Sequence, residues 1–171
     1  MARQKQPLEL EFPFEYVLVG RPCSFQGKES QGKKSKGKTS AYCKWRERAK
    51  EAVEHEVSNR TNRRMYILTD KFLTVKIAWF SSQPDAIDHP DLDNIIKPLL
   101  DAIRDKVIIN DSQVRHIHIS KIDLNRDGLC VPPQIKKFEG NPEYDHAGEV
   151  VLVAVYPFDV TETRELDWWL S

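Results

Sequence analysis

From Val150 to Tyr156 the chain reads Val-Val-Leu-Val-Ala-Val-Tyr, continuously apolar after the single acid Glu149. A run this short, rich in β-branched residues and without polar alternation, predicts a central strand buried on both faces. Such a strand needs partners on either side, so the rest of the chain has to supply a sheet.

The other periodicities fit that requirement. Phe14 to Val19 is predicted as a strand stopped by Gly20 and Pro22. Thr39 to Val57 has helical spacing, with Tyr42, Trp45, Ala49, Ala52 and Val53 as its apolar stripe. Phe72 to Phe80 alternates: Leu73, Val75, Ile77 and Trp79 share one face, and Thr74 and Lys76 the other, which predicts a half-buried strand. A second helix carries Leu92, Ile95, Ile96, Leu99, Leu100 and Ile103 on one side. Val107 to Ile109 is a short apolar run, and Gln113 to Ile122 a further strand. The order β-α-β-α-β-β implies one α/β (α+β) domain over residues 1–171, a mixed sheet with two main helices. Residues 27–38 are expected to form a flexible basic loop, 123–147 an irregular excursion, and 157–171 a tail containing Trp168 and Trp169.

Composition sets the class. Apolar residues are 40% and charged residues 30% of the 171, an ordinary balance for a globular chain. No apolar run approaches the roughly 20 residues of a membrane span. The polar start MARQKQPLELEF has no apolar signal core, so a cytoplasmic, bacterial or phage-encoded protein is expected, without a membrane partner. Cys23, Cys43 and Cys130 are odd in number and widely spaced, and read as reduced thiols. The zero net charge hides an asymmetry. Residues 1–60 hold 13 Lys and Arg against 8 Asp and Glu, and residues 61–171 hold 13 against 18. A basic segment beside an acidic one suits phosphate binding, which depends on local charge.

The chemistry concentrates at the second helix. Asp91, Asp93 and Asn94 crowd its start, where one capping residue would suffice. Asp93, Lys97 and Asp101 then continue a polar ridge opposite the apolar stripe. Pro98 predicts either a helix that begins near Asn94 or later, or a bend. Asp111 precedes a strand and can face the helix start. Three converging aspartates repel unless a cation joins them, and Mg²⁺ accepts such oxygens while retaining waters and phosphate ligands. The alternative reading is an exposed acidic helix start, with Lys97 pairing to its neighbours.

Together these residues resemble the RusA family of Holliday-junction resolvases. That family has Asp-x-Asp-Asn-x-x-Lys at a helix start, here Asp91-Leu92-Asp93-Asn94-Ile95-Ile96-Lys97. Its Asp-Asp-x-Gln-Val segment is Asn110-Asp111-Ser112-Gln113-Val114 here, with Asn110 in place of the first Asp. Asp101-Ala102-Ile103 matches the family's Asp-Ala-Leu, and Gly20-Arg21-Pro22-Cys23-Ser24 its upstream loop. The resemblance implies a RusA-like fold and a homodimeric endonuclease that nicks a four-way DNA junction in pairs. It implies Mg²⁺, with Mn²⁺ as a substitute, held by Asp91, Asp93 and Asp111, and Lys97 at the phosphate. Asn94, Asp101, Asn110 and His89 are secondary candidates.

Lys28, Lys33, Lys34, Lys36 and Lys38 are candidate DNA contacts, against the reading of a solvated linker. His116 and His118 share a strand face and read as surface residues. Asp123 to Gly128 follows half of a calcium-loop pattern but reads as an Asp-Gly turn. Two other functions compete: a catalytically weak junction-binding protein, supported by Asn110, and a nucleotide-sugar transferase using Asp-Leu-Asp as a metal motif.

Overall fold

A computed structural model describes residues 7–22, 41–82, 91–124 and 148–159. In chain order these form β1 (Leu8–Glu9), β2 (Phe14–Val19), α1 (Ala41–Thr61), β3 (Tyr66–Ile67), β4 (Leu73–Ser81), α2 (Leu92–Ile103), a 3₁₀ turn (Asp111–Gln113), β5 (Val114–Asp123) and β6 (Glu149–Pro157). The expected β-α-β-α-β-β order is present. The short parallel pair β1–β3, two residues per strand, was not anticipated.

The four-stranded sheet runs β2-β6-β4-β5. The apolar β6 lies inside it, antiparallel to β2 and to β4, while β4 and β5 are parallel, so the sheet is mixed. Val150, Val151, Val153 and Val155 are fully buried, whereas Leu152 and Tyr156 are half-buried. Burial on both faces therefore holds for most of β6 but not for all of it.

Strand alternation sends Phe14, Tyr16 and Leu18, Leu73, Val75, Ile77 and Trp79, and Val151, Val153 and Val155 to one face. There they meet Trp45, Ala49, Val53 and Val57 of α1 and Ile95, Leu99, Ala102 and Ile103 of α2 in one core. Ala52 is only half-buried, and the Tyr42 side chain lies outside the described set. α1 runs four residues past the expected Val57, because Val57 is itself buried and Arg60 pairs with Glu56 at 2.7 Å. It stops at Asn62 and Arg63, both left-handed (φ 49° and 58°) without glycine. Thr74, on the opposite face of β4, is fully buried rather than half-exposed, while Lys76 beside it is exposed.

Long-range polar contacts tie the layers. The buried Tyr16 hydroxyl donates to the Leu99 carbonyl at 3.4 Å, and burial pushes its pKa above the usual phenol range. Glu149, only 1% exposed, accepts from Arg21 Nε at 2.7 Å and from Trp79 Nε1 at 2.9 Å. Gly148, which leads into β6, has φ 57°, and a Cβ there would come within 2.5 Å of Ser82 Oγ. Glycine takes that backbone without strain, and any other residue there would also have to displace the Ser82 hydroxyl. Among the described residues no helix is long and apolar enough to cross a membrane.

Candidate functional site

α2 begins at Leu92, so Pro98 is its seventh residue; the helix starts earlier than the proline alone suggests. Pro98 has no N–H to give the Asn94 carbonyl, four residues back. It is buried with Ile95, Leu99, Ala102 and Ile103, which turns the ridge of Asp93, Lys97 and Asp101 away from the core. Leu92, Ile96 and Leu100 pack at the margin of that core.

Asp91 occupies the N-cap with extended backbone (φ −65°, ψ 150°), yet its side chain makes no capping hydrogen bond. Its carbonyl accepts from Asn94 N at 3.1 Å, so the backbone closes the first turn and the carboxylate is left over. Asp91, Asp93 and Lys97 are all exposed, and Asn94 is half-buried. Among the described residues, no ion pair joins Lys97 to Asp93 or Asp101; Asp101 faces Arg104 instead, at 3.7 Å. Two carboxylates at a helix N-terminus sit where the backbone dipole favours negative charge.

Asp111 is held by different machinery. It opens the 3₁₀ turn, whose N-cap is Asn110. The Asn110 side chain accepts from Ser112 N at 3.0 Å. Gln113 Oε1 accepts from Ile109 N at 2.8 Å and from Asn110 N at 2.9 Å. Gln113 Nε2 donates to the carbonyls of Thr69 at 2.8 Å and Lys71 at 3.1 Å. Gln113, expected to open the strand, is instead a buried clamp in the 3₁₀ turn, and β5 begins one residue later. Ahead of the turn, Val107 and Ile108 are fully buried and Ile109 is 55% exposed; the run makes isolated bridges to Thr69 and Arg104 rather than a strand.

One oxygen of Asp111, Oδ2, lies 3.8 Å from Arg104 Nη1, while Oδ1 is buried and has no hydrogen-bond partner. Arg104 is the C-cap of α2 and also lies 3.9 Å from Asp105. About 20 Å of helix axis separates that cap from Asp91. The structure therefore gathers Asp101, Arg104 and Asp111 at one end of α2, and Asp91 with Asp93 at the other. Among the described residues, no three His, Cys, Asp or Glu side chains are close enough together to hold one metal ion. His89 and Lys28, Lys33, Lys34, Lys36 and Lys38 lie outside the described residues, as do Asp127, Gly128, Trp168 and Trp169.

The donor set still suits a hard cation at the helix start. Asp91 and Asp93 offer carboxylate oxygens not spent on capping, and Mg²⁺ commonly binds through one or two carboxylates plus water and substrate phosphate. The unpartnered Asp111 Oδ1 lies with Arg104 at the other end of α2 and is not part of this donor set. Arg104 is the residue that sequence reasoning missed. Its i, i+3 spacing from Asp101 was a usable signal, but nothing local tied it to Asp111.

A protein-family model described as Endodeoxyribonuclease RusA matches residues 22–132, more than half of the chain. The match spans both helices, the 3₁₀ turn and β5. Among curated proteins, none matches the chain.

Proposed function

The chain belongs to the RusA family of endodeoxyribonucleases, and on that premise we propose that it resolves four-way DNA junctions by paired, Mg²⁺-dependent nicks. The observation that carries the reading is Asp91: an N-cap aspartate that does not cap, beside an exposed Asp93. Those two carboxylates would hold the cation, Mg²⁺ or in substitution Mn²⁺. When bound, it supplies an activated water and neutralises charge developing on the phosphodiester.

The chain's own groups orient the substrate. Lys97 lies about one helical turn from Asp93 on the same ridge, where its ammonium can reach a phosphate oxygen held at the helix start. Asp111, held beside Arg104 by the turn that Gln113 and Asn110 fix, would join Asp91 and Asp93 as the third acid only if that turn shifts on binding DNA and metal. Asp101 serves as an anchor for Arg104 rather than as a ligand. Lys28, Lys33, Lys34, Lys36 and Lys38 would grip DNA phosphates, so binding should weaken with salt by a slope of about −0.9 per neutralised phosphate. Two symmetric nicks call for two copies of the chain, a homodimer, which light scattering tests directly.

The deciding experiment is incubation of the full chain with a synthetic four-way junction and Mg²⁺. Paired nicks from wild type and none from Asp91→Asn support the reading. Absence of nicks from wild type, or undiminished nicking by Asp91→Asn, sinks it. The second reading, a catalytically weak junction-binding protein, draws on Asn110, whose side-chain oxygen is already taken by Ser112 N–H. Junction binding in EDTA with no cleavage in Mg²⁺ or Mn²⁺ selects it.

A further inference from the structure

β5 is an edge strand of the four-stranded sheet, and His116 and His118 stand two residues apart on it. Ile117 and Ile119 pack against the helix-covered core, so the two imidazoles share the other face. Their ring centres are 4.3 Å apart, with the planes inclined at 51°. His118 is exposed, whereas His116, expected at the surface, is half-buried.

The burial leaves polar valences open. His116 Nδ1 is buried and has no hydrogen-bond partner among the described residues, and the same holds for Thr74 Oγ1. Thr74 is fully buried and is the Cα partner of His116 across the β4–β5 ladder, so both atoms belong to one face at one register position. Unpartnered buried polar atoms cost free energy unless something satisfies them. Water alone would do so, but the second imidazole makes a metal ion the better fit. Imidazole nitrogens suit Zn²⁺, Ni²⁺ and Cu²⁺, whereas Mg²⁺ prefers oxygens. With metal–nitrogen bonds of about 2.0–2.1 Å, two imidazoles on neighbouring coordination positions have ring centres roughly 4.5–5 Å apart, so this pair needs only a slight opening. The nearest lysine turns away. Lys76, the partner of His118 on β4, holds its ammonium 5.0 Å from the ring centre of Tyr156, toward β6 and away from β5. Among the described residues no third His, Cys, Asp or Glu joins the pair, so water fills the remaining positions, as in open metal sites.

We infer that His116 and His118 bind one divalent transition-metal ion of nitrogen preference, Zn²⁺ or a like ion, through His116 Nδ1 and a ring nitrogen of His118, with the Thr74 hydroxyl holding a metal-bound water. The site lies on the opposite face of the sheet from α2, so it is separate from the Mg²⁺ proposed at Asp91 and Asp93 and does not rest on it. A hard ion sorts to the carboxylates and a borderline one to the imidazoles.

The test is calorimetric titration of the full chain with Zn²⁺ in excess Mg²⁺, which occupies the carboxylates, alongside NMR of the histidine ring resonances. Wild type should bind Zn²⁺ with shifts in both the His116 and the His118 ring. His118→Ala should weaken that binding by about a hundredfold and Thr74→Val by about tenfold, the range over which groups that orient metal ligands act. Circular dichroism confirms that each variant is folded, and the ring shifts of wild type stand whatever the variants do. Zn²⁺ binding that leaves either ring unshifted overturns the inference, and so does undiminished binding by either variant. A wild type that binds no Zn²⁺ overturns it too, and leaves a water shared by His116 and Thr74. Junction cleavage is not part of the readout, so the nuclease reading stands or falls separately.

Discussion

Asn110 and Gln113 cap one another: the Asn110 oxygen takes the Ser112 N–H, and the Gln113 oxygen takes the Asn110 N–H at 2.9 Å. Between them stands Asp111, so the direction of that carboxylate is set by a reciprocal lock. The same Gln113 reaches across to Thr69 and Lys71, which joins the turn to the segment ahead of β4.

Gln113→Glu is expected to loosen this lock with almost no change of size. It would turn two donated hydrogen bonds into contacts between oxygens, in a side chain only 8% exposed. A loss of about 2–3 kcal/mol follows. At roughly 2–4 °C per kcal/mol for a chain of this length, the melting temperature should fall by about 4–12 °C. Thermal unfolding followed by circular dichroism checks it, and an unchanged midpoint would show that the clamp carries no stability.

Asn110 separates capping from ligation. Asp and Asn cap equally well, so Asn110→Asp should leave stability within about 0.5 kcal/mol, while Asn110→Ala should lose about 1 kcal/mol. If position 110 serves only as a cap, Mg²⁺-dependent nicking by Asn110→Asp stays near wild type. A large gain in nicking would instead make a carboxylate at position 110 a ligand in its own right.

Asp91→Asn and Asp93→Asn should cost little stability, because Asp91 makes no capping bond and both side chains are exposed. We expect melting within about 2 °C of wild type, since changes at such surface positions stay near 0.5 kcal/mol. Junction nicking should fall by about a hundredfold or more, the scale on which one electrostatic group at a reacting centre acts. Joint measurement of melting and nicking rate decides it: parallel losses in both would mark these acids as structural.

Arg21 and Glu149 offer a double-mutant cycle. Arg21→Ala leaves a buried carboxylate whose remaining contacts include Trp79 Nε1. The side chain of Arg21 is 35% exposed, so solvent screens part of the pair. The expected loss is about 2 kcal/mol, below the range for fully buried pairs. Adding Glu149→Gln should recover part of it, because the uncompensated charge goes. Urea unfolding of the four variants measures the coupling, and strict additivity would deny it.

Much of the architecture is legible in the chain because it is local. The apolar run of β6, the alternation of β4 and the stripe of α2 each follow from a repeat of two or of three to four residues, which any neighbourhood reveals. The acids of Asp91 to Lys97 stand out for the same reason, being more numerous than one helix cap needs. Boundaries were less legible: the end of α1 and the start of β5 moved, since Val57 and Gln113 are placed by what they touch.

By itself, then, the sequence determined the element order, the buried stripes and the acidic start of α2, all of them encoded in periodicity and spacing. Only the tertiary structure decided that β6 lies between β2 and β4, and that Asp111 stands beside Arg104 at the far end of α2 from Asp91. It also decided that Gln113 is a clamp rather than a strand residue. For the sheet order and the clamp the reason is that pairings across forty or more residues depend on loop closure and on the summed packing of both partners, and neither segment carries that information alone.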